Sequence, residues 1–163
     1  MSDASLEMLQ VNRRAHPDTP MVCCSIERLP FADESFDVVF GNNTFYLVPD
    51  KLAGASEVAR VLRSGGVCLI SEMNPFNPLL PVAFALRREL VTRMNYDQTP
   101  AKIARRWREH GMTLEEVDFY TFAPHFAGDR LLRSLSVFER ALGWSRLVRR
   151  FSAIRIFYAI RKG

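Results

Sequence analysis

An α/β fold, with a mostly parallel sheet, an antiparallel last strand and helices on both faces, is what three features of this sequence predict. The run Phe36 to Phe40 is nearly all apolar, rich in Val and Phe, and ends at Gly41-Asn-Asn43, as a strand covered on both faces reads. A helix-period segment follows, with Leu52, Ala55, Val58, Ala59 and Leu62 on one face. Pro49 stands near its start, Arg60 and Arg63 in its last turns, and Gly65-Gly66 just past its end. Val67 to Ser71 then reads as a second buried strand. Strand, crossover helix and strand make a right-handed βαβ unit.

The remaining elements follow in chain order. Met1 to His16 reads as a helix start capped by Asp3 or Ser5, with Leu6, Leu9 and Arg13 on one face. Met21 to Ile26 is a short apolar strand. Pro30 and Ala32 to Ser35 form a turn that neither a strand nor a helix accommodates. Leu79 to Met94 reads as a helix, apolar and then basic. Thr99-Pro100 supplies a cap and a first position for a helix through His110, stopped by Gly111. Met112 to Phe122 is a strand. Leu131, Leu135, Phe138 and Leu142 make a helical stripe, and Ile154 to Ile160 alternates as a final strand.

Two motifs carry a family resemblance: Leu29-Pro-Phe-Ala-Asp-Glu-Ser-Phe-Asp-Val-Val39, and Glu57-Val-Ala-Arg-Val-Leu-Arg-Ser-Gly-Gly66. Their order and separation resemble the class I S-adenosylmethionine-dependent methyltransferases, in the small-molecule branch that methylates ubiquinone and menaquinone precursors. The resemblance is close over Asp3 to Glu72 and holds in outline beyond. It implies a Rossmann-like methyltransferase fold and S-adenosyl-L-methionine as cofactor. It implies methyl transfer to a small, largely apolar acceptor, with residues 73–110 as a helical insertion or lid on the substrate side. The family's Gly-x-Gly-x-Gly loop, which lets backbone approach the cofactor closely, does not occur in these 163 residues. The expectation is therefore a single domain, N-terminally truncated. Strand three would move beside strand four, or a partner chain would hold the exposed sheet edge. A non-catalytic binding module or partner subunit is the alternative.

By the same resemblance, Asp3 would accept from the ribose hydroxyls, and Met8 or Leu9 would lie near the adenine. Ser25 stands where the family usually has an Asp for the adenine amino group. The Ile26 N–H would meet the ring, with Glu27 exposed beside it. Loops at the carboxyl ends of parallel strands line ligand crevices, which singles out Asn42, Asn43 and Tyr46. For the Asn pair the alternative is turn chemistry, and for Tyr46 core packing. The Glu72-Met-Asn-Pro-Phe-Asn-Pro78 segment points Glu72, Asn74 and Asn77 at substrate, or simply builds a turn. Tyr46, Glu72 and His125 are the candidates for a catalytic group.

Composition bounds the rest. With 48% hydrophobic and 25% charged residues the chain has globular averages. No apolar run reaches membrane-spanning length, and the polar amino terminus does not read as a signal peptide, so a cytoplasmic protein is expected. The three cysteines read as buried reduced thiols and the three histidines are scattered, so no metal is implied. Asn74-Pro-Phe76 lacks the double proline and the position of the nucleic-acid methylase motif, which points away from nucleic acid. Gly128 to Gly163 holds nine basic against two acidic residues. That excess suggests an anionic substrate or weak contact with a membrane surface, or merely a solvated face.

Overall fold

The computed structural model describes residues 1–78, 98–120, 149–151, 153 and 155–163. Its elements are β1 (Ser2–Asp3), α1 (Leu6–Ala15), β2 (Val22–Cys23), β3 (Phe36–Asn42), α2 (Lys51–Val61), β4 (Leu62–Met73), α3 (Pro100–Arg108), β5 (Met112–Tyr120) and β6 (Arg155–Lys162). The expected helices at 79–94 and 131–142 lie outside the described residues.

The strands form two sheets: a parallel β1–β2 pair, and a four-stranded sheet in the order β3-β4-β6-β5. In the larger sheet only β3–β4 is parallel, whereas β4–β6 and β5–β6 are antiparallel. The sheet is thus mixed, correcting the mostly parallel expectation. β6 enters the middle of the sheet, so one late strand creates two antiparallel ladders. The expected move of strand three beside strand four does not occur either. Val22 and Cys23 pair instead with Ser2 and Asp3, and β1 is already long enough to hold them.

The core lies where α2 and α3 pack on β4 and β6. Val58, Leu62, Ile70, Ile103, Trp107 and Ile156 are buried there. The Phe45 ring meets Trp107 edge-on at 5.3 Å. Asp50 caps α2 by accepting from the N–H groups of Leu52 and Ala53, satisfying donors that the first turn leaves orphaned. The expected strand Phe36 to Phe40 is present but not covered on both faces. Val38 and Phe40 are 55% and 63% exposed, because β3 is the edge of its sheet. Cys23 is likewise exposed, while Cys68 is buried.

Gly65-Gly66 does not stop the helix as its sequence suggested. α2 ends at Val61, and the chain turns directly into β4 with Leu62 extended. The glycines sit in a bulge, between Phe36↔Leu62 and Val38↔Val67 in the ladder. Gly65 has φ +77° with open space around it. A Cβ on Gly66 would meet Arg63 O at 2.8 Å and Asp37 O at 3.1 Å. Gly65→Ala is therefore expected to cost about 1 kcal/mol. Gly66→Ala, which must displace backbone, is expected to cost roughly 2–3 kcal/mol. Urea unfolding of the two variants checks both the costs and their order.

Candidate functional site

A cleft of about 590 Å³ opens between the β1–β2 pair and the free edge of β3. Met1 to Ala4 and Cys24 to Ile26 form one wall. Val38 to Val48 supply much of the other, and Val58, Val61 and Cys68 lie at the base. The cleft runs along β3 from Phe36 and reaches the carboxyl ends of β1 and β3 at Asp3 and Asn42, where loops gather.

One segment fixes each wall. On the β1 side, Asp3 Oδ1 accepts from Ser5 N at 2.8 Å, and Ser5 Oγ caps α1 through Met8 N at 3.2 Å. Cys24 N donates to Asp3 O at 3.0 Å, joining β2 to the same corner. On the β3 side, Asn43 takes a left-handed conformation, φ +53°, which Asn tolerates better than most residues. Its N–H donates to Ser71 O at 2.8 Å. Its Oδ1 is buried without a partner among the described residues, an acceptor held ready at the cleft.

Of the residues singled out from sequence, Asp3, Ser25, Ile26, Asn42 and Asn43 come together around this cleft. Met8 is exposed on α1 and Leu9 is buried beneath it, and neither lines the cleft. Glu27 is half-buried rather than exposed: its Oε1 accepts from Asp50 N at 2.8 Å, and its Oε2 accepts from Ser25 Oγ at 3.1 Å. Asn74 and Asn77 are buried, and their amides tie the 74–77 turn to residues 150–153. Asn74 Nδ2 donates to Arg150 O and Ala153 O at 2.8 Å, and Asn77 Nδ2 to Ala153 O at 3.1 Å. His125 lies outside the described residues.

Glu72 and Tyr46 belong to a second cluster, behind the cleft. Glu72 is fully buried at the end of β4. Its Oε1 accepts from Thr44 N at 3.0 Å and Phe45 N at 2.8 Å, so a carboxylate from one strand caps the loop that leaves another. Its Oε2 has no partner among the described residues. Burial pushes its pKa up to about 7, against the Phe45 and Thr44 N–H groups and the charge of Arg155. Burial, and then the Glu72 charge, raises the pKa of Tyr46.

Comparison with known proteins shows what the fold and the sequence resemble. In structure, the chain superposes on a Thermotoga maritima S-adenosylmethionine-dependent methyltransferase described as a possible histamine N-methyltransferase. The TM-score is 0.71 at 16% identity, over 99% of this chain and 72% of that one. A Mesorhizobium loti S-adenosylmethionine-dependent methyltransferase gives 0.69 at 16% identity, over 99% and 78%. The fold is that of the class I methyltransferases. Residues 1–70 of this methyltransferase-like chain match the methyltransferase domain model. In sequence it is 36% identical to demethylmenaquinone methyltransferase of Corynebacterium urealyticum over 92 residues, covering 56% of this chain and 38% of that protein. It is 42% identical to that of a Mycobacterium species (strain KMS) over 73 residues, covering 45% and 31%. The resemblance to the quinone-methyltransferase branch therefore holds, and the match spans less than two-fifths of those relatives' length.

Arg155, Lys51 and Gln98 are buried polar groups of this methyltransferase-like fold that sequence reasoning missed. Arg155 donates to Asn42 Oδ1 and Ser71 Oγ, joining the last strand to the cleft wall, and Tyr120 also bonds Ser71 Oγ. The one signal at Arg155 was a charge placed just before the apolar run Ile156 to Ile160.

Glu72 also makes stability depend on pH. Its folded pKa, about 7, exceeds its ordinary value of 4.5. The proton it holds thus contributes stability that is full below the unfolded pKa and is lost as pH rises through the folded one. Urea unfolding at pH 5 and pH 8 is expected to show the native chain losing about 2–3 kcal/mol relative to Glu72→Gln, which cannot ionise. A constant difference between the two proteins would remove the assignment.

Proposed function

We propose that the cleft binds S-adenosylmethionine, and that the chain takes part in methyl transfer to a small, largely apolar acceptor. The observation that carries this is the cleft itself, which runs along β3 and is lined near the carboxyl ends of β1 and β3 by Asp3 and Asn43. Its volume falls within the range of small-ligand pockets. The donor set fits the cofactor. The Asp3 carboxylate, half-buried at the rim, suits vicinal ribose hydroxyls. The unpartnered Asn43 Oδ1 suits an ammonium donor. Ile26 and Phe36 offer apolar surface to a base.

When bound, the cofactor supplies a methyl group on a sulfonium, a good leaving group, so positioning can contribute most of the rate. The chain's own task is then to hold and orient. Glu72 clamps the Thr44–Phe45 backbone, and Arg155 fixes the Asn42 side chain, so the β3 wall is preorganised. Apolar side chains at the base of the cleft, Val58, Val61 and Cys68, exclude water. The demethylmenaquinone methyltransferase relatives support an apolar acceptor such as a quinone precursor. Glu72 and Tyr46, side by side behind the cleft, are the groups proposed to meet it.

One observation favours a second reading, a partner subunit. β1 and β3 flank the cleft, the β3 edge carries the exposed Val38 and Phe40, and an apolar strand from another chain would pair there. A structural neighbour from Haloferax volcanii, TM-score 0.66 at 21% identity, is a methyltransferase in complex with the Trm112 activator.

Calorimetric titration with S-adenosylhomocysteine separates the two readings. The cofactor reading expects binding near micromolar strength, about −8 kcal/mol. Asp3→Ala should weaken it by about tenfold, the worth of a charge-assisted hydrogen bond. A folded chain that gives no heat, together with self-association that Phe40→Lys abolishes, would favour the partner subunit.

A further inference from the structure

One side chain from each strand of the larger sheet joins a single hydrogen-bonded chain that ends at the cleft. Arg155, the first residue of β6, is 7% exposed. Its Nη2 donates to Asn42 Oδ1 on β3, and to Ser71 Oγ on β4 at 2.5 Å. Ser71 is itself buried, and its Oγ also bonds Tyr120 Oη at the end of β5. Of the four residues only Asn42 lines the cleft.

The chain decides which way the Asn42 amide faces. A guanidinium only donates, so the atom turned toward Arg155 must be the amide oxygen. Nδ2, with its two N–H donors, is left on the side away from Arg155. Asn42 is exposed at the cleft, and among the described residues its Nδ2 has no acceptor. Asn43 follows in the left-handed conformation and lines the cleft beside it. Adjacent residues thus bring a donor pair and an acceptor to one end of the cleft. The Arg155 charge backs the donor pair. Arg155 forms no ion pair among the described residues, and Glu72 is an acid that senses its charge. Burial pushes the Glu72 pKa up to about 7, so near neutral pH the guanidinium is only partly offset.

We propose that Arg155 is a positioning residue, which turns the Asn42 amide so that Nδ2 meets the amino-acid carboxylate of the ligand in the cleft. This rests on the cofactor reading and deepens it, since it assigns one end of the cleft to the amino-acid portion. An N–H pair backed by a buried cation suits an anion, and the carboxylate is the one anionic group of S-adenosylmethionine. The ammonium shares a carbon with that carboxylate, as the Asn43 acceptor stands one residue from the Asn42 donors. With the amide reversed, an oxygen would face the carboxylate and oppose binding. Arg155 excludes that orientation.

S-adenosylhomocysteine and 5′-methylthioadenosine, which lacks the amino-acid portion, test this by calorimetric titration into the full chain, each followed to millimolar concentration. The native chain is expected to bind the first at least about tenfold more tightly, the worth of one charge-assisted hydrogen bond. Asn42→Asp keeps an oxygen for Arg155 and exchanges the N–H pair for a second oxygen. It should weaken S-adenosylhomocysteine by about tenfold and leave methylthioadenosine within about twofold. It should also unfold in urea no earlier than the native chain, because its carboxylate still pairs with Arg155. Arg155→Met frees the amide to turn and should produce the same selective loss. Where that buried substitution perturbs folding, the Asn42 side-chain N–H resonances of the native chain carry the test, shifting with S-adenosylhomocysteine and not with methylthioadenosine. Equal weakening of both ligands by Asn42→Asp, weakening of neither, or a native chain without preference overturns the proposal and leaves the cofactor cleft standing. A folded native chain that binds neither ligand removes the cofactor reading, and this one with it.

Discussion

The Glu57–Arg60 clasp is the interaction on which the rest of the structure depends. Arg60 spends its guanidinium on five hydrogen bonds: two to Glu57, one to Asp33, and one each to the carbonyls of Leu29 and Phe31. Glu57 returns one more, accepting from Leu29 N at 2.8 Å. The result is a bidentate ion pair fastened at three points to the turn that precedes β3. Hydrogen bonding to Arg60 lowers the Glu57 pKa and that to Glu57 raises the Arg60 pKa, so both stay charged across the working range. The turn also donates from Glu34 N and Ser35 N to the last carbonyls of α2, at 2.9 Å each. Helix, turn and strand are thereby one rigid piece, and the β3 wall of the cleft hangs from it.

That rigid piece divides the molecule into unlike halves. On one side, β4 and β6 carry a core closed by α2 and α3. On the other, β3 presents a bare edge and apolar side chains across a cleft to the small β1–β2 pair. The loop from Thr44 to Pro49 borders the cleft, with Glu72 bonded to its backbone. A shift in the loop would alter the cleft wall, and the fully buried Glu72 resists that shift.

Much of this was readable in the residues, and the omissions have physical causes. α2 and α3 announced themselves through period and end signals, Pro49 and Thr99-Pro100 marking their starts, while the Asp50 cap of α2 was not read from sequence. The two motifs behind the resemblance turn out to be the two halves of one clasp, which explains their fixed order and separation. The alternating final strand, read as Ile154 to Ile160 and found as Arg155–Lys162, was also readable, but its place in the middle of the sheet was not, since ladder order depends on nonlocal packing. Val38 and Phe40 read as buried because composition records what a strand is suited to, not whether a neighbour is present to cover it. Asp3, Ser25, Ile26, Asn42 and Asn43 gather at the cleft because strand ends do so in any parallel βαβ arrangement. Lys51, Gln98 and Arg155 gave no such warning. Their burial is set by tertiary packing, which local pattern does not record.

Amide chemical shifts of the isotopically labelled chain, followed during titration with S-adenosylhomocysteine, test the central claim most directly. The account predicts shifts concentrated at Asp3, Ser25, Ile26 and Gly41 to Asn43, on both walls of one cleft. Shifts confined to other residues, or none at saturating ligand in a folded sample, would contradict it.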